Sequence, residues 1–212
     1  MMELTEIFYS LQGESDYTGL PCIFIRTAGC NLRCRYCDTQ YSWENGVAAE
    51  IEQILQDIVI YAPVKLVEIT GGEPLIQKDT INLITALRSK GYDILLETNG
   101  SILLDNVPDY VIKIVDIKTP GSGFENSFDM KNLEYIRLDR DEIKFVITSR
   151  QDYEWSKKFQ KKYDLSGGKV LFSAAANMFA PQILAEWILE DKLPVRFQMQ
   201  LQKYLWNNAR AR

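Results

Sequence analysis

Along this chain, short runs rich in β-branched and aromatic residues alternate with stretches whose apolar residues recur at helical spacing. The runs at 21–27, 65–70, 92–97, 111–117, 142–148, 169–173 and 195–201 predict strands. Between them Ile51, Ile54, Leu55 and Ile58 share one helical face, as do Ile81, Ile84 and Leu87. Further helices are expected over 150–162 and 180–190, and another near 129–135. Strand, helix and strand repeated in this order predict an α/β fold with a largely parallel sheet and right-handed crossovers. No internal repeat or low-complexity linker interrupts the pattern, so residues 1–212 are expected to form a single domain.

Polar residues gather where these strands end: Arg26 and Thr27, Thr70 to Glu73, Glu97 to Asn99, Asp116 and Lys118, and Ser173. The carboxyl ends of parallel strands form the ligand site in barrels and open sheets alike, so the clustering predicts a site there. The loop Thr119 to Gly123 is irregular enough for backbone to approach a ligand closely.

Composition narrows the chemistry. The 212 residues are 46% hydrophobic and 25% charged, values of a globular chain able to bury a core without staples. No run approaches the roughly 18 to 20 apolar residues of a membrane helix, and the first residues lack a basic and apolar leader, so a cytoplasmic protein is expected. Net charge is −5, with Lys and Arg scattered, which gives no footprint for nucleic acid and favours a small-molecule substrate. The chain has no histidine. That removes the usual neutral-pH proton carrier and the commonest zinc ligand, leaving cysteine, carboxylate and hydroxyl groups for any metal.

Three of four cysteines, Cys30, Cys34 and Cys37, lie in one short segment of the loop 28–39. In a reducing compartment such spacing is a metal loop rather than a disulfide framework, and soft thiolates select zinc, Cu(I) or iron–sulfur clusters. A closed zinc site wants a fourth protein ligand. Cys22 is separated from the loop by a strand spanning roughly 17 Å, so it is expected in the core. The spacing Cys-x3-Cys-x2-Cys, with Tyr36 before the last cysteine, resembles the signature of the radical S-adenosylmethionine (SAM) superfamily. The resemblance implies a [4Fe-4S] cluster whose open iron chelates SAM. The segment Thr70-Gly71-Gly72-Glu73-Pro74 resembles that superfamily's Gly-Gly-Glu-Pro motif, and its paired glycines let backbone meet a small zwitterion.

The segments Tyr9 to Ser15, Phe24 to Cys34, Cys37 to Thr39, Glu97 to Gly100 and Lys192 to Gln198 are closely similar to the 7-carboxy-7-deazaguanine synthase family. The resemblance covers essentially the whole chain. It implies an abridged, partial (βα) radical-SAM barrel and a homodimer, with flavodoxin or ferredoxin as electron donor. It also implies a carbon–nitrogen lyase reaction that converts 6-carboxy-5,6,7,8-tetrahydropterin to 7-carboxy-7-deazaguanine with loss of ammonia, in queuosine biosynthesis. Carried over, Leu11, Gln12, Gly13, Glu14, Arg26, Thr70 and Gln202 would face the pterin, and Thr39 would bind Mg²⁺. Gly71, Gly72, Glu73, Glu97, Asp116, Lys118 and Ser173 would hold SAM, with the Glu73 carboxylate accepting from its ammonium.

The chain departs from many family members in two places. Gln202, and the loop Ser173 to Asn177, stand where those members carry histidine. Gln198, Gln200 and Gln202 alternate within the C-terminal segment 195–212 and are expected on one face of its strand. Two rivals share the cysteine loop: a glycyl-radical activating enzyme acting on a protein partner, and a zinc-binding interaction module.

Overall fold

The computed structural model describes residues 1–176, 178–207 and 209–211. Nine strands form one sheet: β1 (Met2–Leu11), β2 (Pro21–Thr27), β3 (Val47–Ala49), β4 (Leu66–Gly71), β5 (Asp93–Thr98), β6 (Ile112–Asp116), β7 (Glu142–Ile147), β8 (Lys169–Ala174) and β9 (Arg196–Gln198). Their order is β3-β1-β2-β4-β5-β6-β7-β8-β9. Every pairing from β2–β4 to β8–β9 is parallel, while β1 runs antiparallel to both β2 and β3. This is the mostly parallel α/β sheet expected.

Side chains alternate across it, and the two faces differ sharply. Outward residues such as Val67 and Ile69, Ile94 and Leu96, Ile143 and Phe145, and Val170 and Phe172 join the main core. The helices α1 (Ile51–Ile58), α2 (Thr80–Ser89), α3 (Arg150–Lys162) and α4 (Pro181–Glu190) bury Ile54 and Ile58, Leu83, Ile84 and Leu87, Tyr153, and Leu184 and Ile188. Ser149 caps α3 by accepting the Asp152 N–H, and Pro181 opens α4 in a position that needs no donor. Each large apolar side chain so buried stabilises the fold by roughly 1.5–3 kcal/mol. The inner face instead carries Glu68, Thr70, Glu97, Asp116 and Lys144, an arrangement that core packing does not explain.

Three sequence expectations need correction. β1 and β3 went unpredicted because β1 is interrupted by polar edge positions, Glu3, Thr5 and Glu6, and β3 has only three residues. The segment 129–135 forms a 3-10 turn at Met130–Glu134. The last strand is short, ending at Gln198, and α5 (Leu201–Trp206) follows. There the Leu201 N–H donates to the Gly13 carbonyl at 2.9 Å, which turns the chain onto the β1–β2 connection. Gln198, Gln200 and Gln202 are therefore not on one strand face. Gln198 keeps strand register with Ser173, Gln200 caps the turn, and Gln202 sits on the helix.

The β1–β2 connection reaches across the inner face. The Asp16 N–H donates to both carboxylate oxygens of Glu142 at 3.1 Å, and its carboxylate pairs with Lys169 at 2.9 Å and with Arg196. This ties residues 12–20 to the starts of β7, β8 and β9.

Candidate active site

At the carboxyl ends of the strands lies one cavity, into which the connection 12–20, the loop after β2 and α5 all project. Its wall includes Leu11, Gln12, Gly13, Glu14, Arg26, Cys30, Cys34, Cys37, Thr39, Thr70, Gly71, Gly72, Glu97, Asp116, Lys118, Ser173 and Gln202. Of the residues expected to hold SAM, the pterin or a metal, Glu73 alone is absent from it. Asn177 lies outside the described residues, whereas Ala174, Ala175 and Ala176 line the wall.

The cysteine loop is docked from three sides. The Gly29 N–H donates to the Ser42 carbonyl and the Glu73 N–H to the Gly29 carbonyl, both at 2.8 Å, while the Arg35 N–H donates to the Ser122 carbonyl at 3.2 Å. Thus the loop Thr119 to Gly123, expected near a ligand, braces the cysteine loop instead. The glycines after β4 make the close approach possible: a Cβ on Gly72 would fall onto the Gly29 carbonyl and 2.9 Å from Cys30 Cβ, and Gly71 holds a φ of +137°. Cys34 is buried, Cys30 and Cys37 half-buried. Burial raises the Cys30 thiol and pushes Cys34 up to about 11, so metal binding must displace protons. Cys22 is fully buried beside Phe8 and Phe24, away from the other three, as expected.

Among the described residues no three Cys, Asp or Glu side chains converge as ligands of a single metal ion. A four-iron cluster is held by thiolates, and three soft thiols on one cavity wall fit it.

Glu73 is engaged within the protein itself. Its carboxylate accepts from the Leu75 N–H at 3.0 Å, the Thr98 hydroxyl at 2.9 Å and the Asn99 N–H at 2.7 Å, and it is fully buried. Burial raises its pKa, against these donors. The side chain clamps the end of β4 to the end of β5 and does not itself line the cavity.

Sequence reasoning missed the centre of the site. Lys144, on β7, lies 2.8 Å from Glu14 Oε2, 2.5 Å from Glu97 Oε1 and 3.8 Å from Asp116 Oδ2. Burial opposes its charge, but the three carboxylates outweigh burial and hold its pKa well above the usual range. Burial likewise acts to raise Glu14, but Lys144 and the amides of Gln200 and Gln202 bring it down to about 2. Lys118 pairs with Asp116 at 2.9 Å, and Arg26 pairs with Glu6 at 2.9 Å. The signal for Lys144 was a charge inside an apolar run, Glu142 to Ile147, at the parity of the inward face.

Buried polar atoms without partners point into the same space. Asp116 Oδ1 and Gln202 Oε1 have none among the described residues. Both residues lie on the wall and both atoms are acceptors, so the arrangement suits a polar ligand that supplies donors. Gln202 leans over Gly13, where any Cβ would collide with its Oε1.

The chain matches the radical SAM superfamily over residues 24–129. It is 44% identical over 220 aligned positions to a 7-carboxy-7-deazaguanine synthase of Koribacter versatilis, covering 97% of each protein. To the synthase of Chlorobaculum tepidum it is 43% identical over 210 positions, covering 97% of this chain and 94% of the relative. Among solved structures, QueE from Escherichia coli matches with a TM-score of 0.77 and 25% identity over 94% of both chains. SuiB of Streptococcus suis bound to SAM shares the fold alone, with a TM-score of 0.57 and 15% identity over 81% of this chain and 48% of that one.

Proposed function

Since the chain belongs to the 7-carboxy-7-deazaguanine synthase family of the radical SAM superfamily, we propose that the cavity binds the cluster, SAM and the pterin together. The enzyme converts 6-carboxy-5,6,7,8-tetrahydropterin to 7-carboxy-7-deazaguanine with loss of ammonia, in 7-deazapurine biosynthesis. With relatives that are 7-carboxy-7-deazaguanine synthases over 97% of the chain, neither a glycyl-radical activating enzyme nor a zinc module is favoured. The observation that carries the assignment of the site is that the cysteine loop, the glycine pair after β4 and the segment 11–14 all open onto one space.

In this reading Cys30, Cys34 and Cys37 ligate the [4Fe-4S] cluster. Bound there, the cluster and SAM would supply radical chemistry directed at C6 of the substrate. Gly71 and Gly72, packed closely on the backbone of Thr27 and Gly29, present their own backbone to the zwitterionic end of SAM, and Asp116, through its unpartnered Oδ1, accepts from a ribose hydroxyl. Glu97, Lys118 and Ser173 complete that side. Arg26 is held by Glu6 through Nε, which leaves its terminal nitrogens for the substrate carboxylate. Leu11, Gln12, Gly13, Glu14, Thr70 and Gln202 surround the ring. Thr39 offers a hard hydroxyl oxygen on the same wall, which suits a Mg²⁺ ion that keeps waters and takes substrate oxygens.

The half-buried Cys30 and Cys37 leave an open edge for an electron to arrive, from flavodoxin or ferredoxin in our reading. The same family reading makes the enzyme a cytoplasmic homodimer. The bound substrate's chemistry is tested by placing deuterium at C6. Deuterium recovered in SAM supports hydrogen abstraction there with return of the atom, and its retention only in unreacted substrate opposes it.

A further inference from the structure

One carboxyl of the inner face has no part in these roles. Glu68 stands two residues before Thr70 on β4, pointing the same way, is 3% exposed and lines the cavity. Its strand neighbours in register are Phe24 on β2 and Leu95 on β5, neither of which offers a counter-charge. Gln12 Nε2 donates to its Oε2, and the orientation of that amide is fixed because Gln12 Oε1 accepts the Glu14 N–H at 2.6 Å. Among the described residues no donor reaches the other oxygen, Oε1.

The charged groups around it are already committed. Lys144 from β7 is shared by Glu14, Glu97 and Asp116, and Arg26 from β2 is held by Glu6 through Nε, with its terminal nitrogens assigned above to the substrate carboxylate. Glu14 from the connection and Glu97 from β5 face Glu68 as like charges, and Cys22 from β2 is a neutral thiol. An ionised Glu68 would be a buried charge without a partner. Burial first, then Glu97 and Glu14, raise its pKa well above the carboxylate range, while Lys144 and Arg26 act weakly against them. With Oε2 accepting from Gln12, the proton belongs on Oε1, and that oxygen becomes a hydrogen-bond donor.

We propose that Glu68 is a substrate-contacting residue whose Oε1–H donates from the cavity wall to a carbonyl oxygen or ring nitrogen of the bound pterin. The proposal rests on the pterin reading of the cavity. No group of the pterin needs to be charged for this contact, and Gln12 acts as the positioning residue that orients Glu68.

The test compares wild type, Glu68→Gln and Glu68→Leu, reconstituted anaerobically. Pterin binding is followed by calorimetry and turnover from pH 6 to 9.5. A glutamine keeps an acceptor for Gln12 and a donor toward the cavity; a leucine keeps neither. The expected result is that E68L weakens pterin binding at least ten-fold, with SAM affinity, iron content and thermal midpoint near wild type, and that E68Q recovers most of the loss. Wild-type binding should also weaken at high pH as Glu68 ionises, and E68Q should lack that alkaline limb. Unchanged pterin affinity in E68L, or E68Q as poor as E68L, overturns the proposal. Should E68L unfold, the E68Q alkaline limb decides alone: its persistence overturns the proposal. A wild-type protein that cleaves SAM but neither binds nor converts the pterin overturns the reading beneath it, a separate outcome from weakness confined to the variants.

Discussion

The ammonium of Lys144 on β7 lies 2.8 Å from the carboxylate of Glu14, which belongs to the connection 130 residues earlier. That ion pair joins the inserted segment 12–20 to the sheet at the level of the cavity. It gathers Glu97 and Asp116 around the same cation, and so neutralises part of an acid-rich interior.

Removing the cation should therefore cost more than removing a surface lysine. Lys144→Met leaves buried Asp116 and half-buried Glu14 and Glu97 without their shared partner, and a loss of about 3–5 kcal/mol is expected. Urea unfolding of the metal-free protein measures it. A loss below about 1 kcal/mol, the range of an exposed pair, would contradict the account.

Glu142 gives a dependence on pH with a definite sign. Burial, partly offset by Lys169 and Lys144, raises its carboxyl from 4.5 to about 7. Between those values the unfolded chain loses a proton that the folded chain retains. The stabilising contribution is thus complete below pH 4.5 and is lost as pH rises to 7, by about 3 kcal/mol. Glu142→Gln keeps an acceptor for the Asp16 N–H and should flatten that decline. Unfolding free energies at pH 5 and pH 7.5 decide it, and equal pH slopes for the two proteins would count against the assignment.

Gly72→Ala forces a Cβ into the Gly29 carbonyl beside Cys30. The cysteine loop must move away, so the expected outcome is iron content after reconstitution cut to less than half. The thermal midpoint of the metal-free protein should fall by much less than a core truncation causes. Full iron loading in the variant would show that the close approach is unimportant.

The four cysteines should separate cleanly. Alanine at Cys30, Cys34 or Cys37 is expected to abolish the brown colour and the cluster's spectroscopic signal. Cys22→Ala should retain both and lose only a modest amount of stability, about 1 kcal/mol for a small core side chain. A cluster signal lost on changing Cys22 would mean that it takes part in ligation after all.

What the sequence made legible was the part written in local pattern. Strands buried on one side and helices with one apolar face carry their own period, so β2, β4 to β8 and α1 to α4 could be read. The cysteine loop and the glycine pair after β4 could be read because close backbone approach and soft ligands admit few residue types. What stayed hidden was decided by contacts between distant segments. The clamp made by Glu73 was not legible, because Thr98 and Asn99 meet it only when β4 and β5 lie side by side. Gln202 looked like a strand residue because its alternation with Gln198 and Gln200 was real, but the Gly13 carbonyl captures Leu201 and starts a helix instead. Lys144 and Glu68 were hidden as single charges within apolar strands, where only the folded sheet shows which face they share.

The central claim is tested most directly by anaerobic turnover of the reconstituted wild-type protein with 6-carboxytetrahydropterin, SAM, Mg²⁺ and dithionite, following products by mass spectrometry. The account predicts 7-carboxy-7-deazaguanine in amounts that exceed the SAM consumed. Cleavage of SAM to 5′-deoxyadenosine with no deazaguanine formed would contradict it.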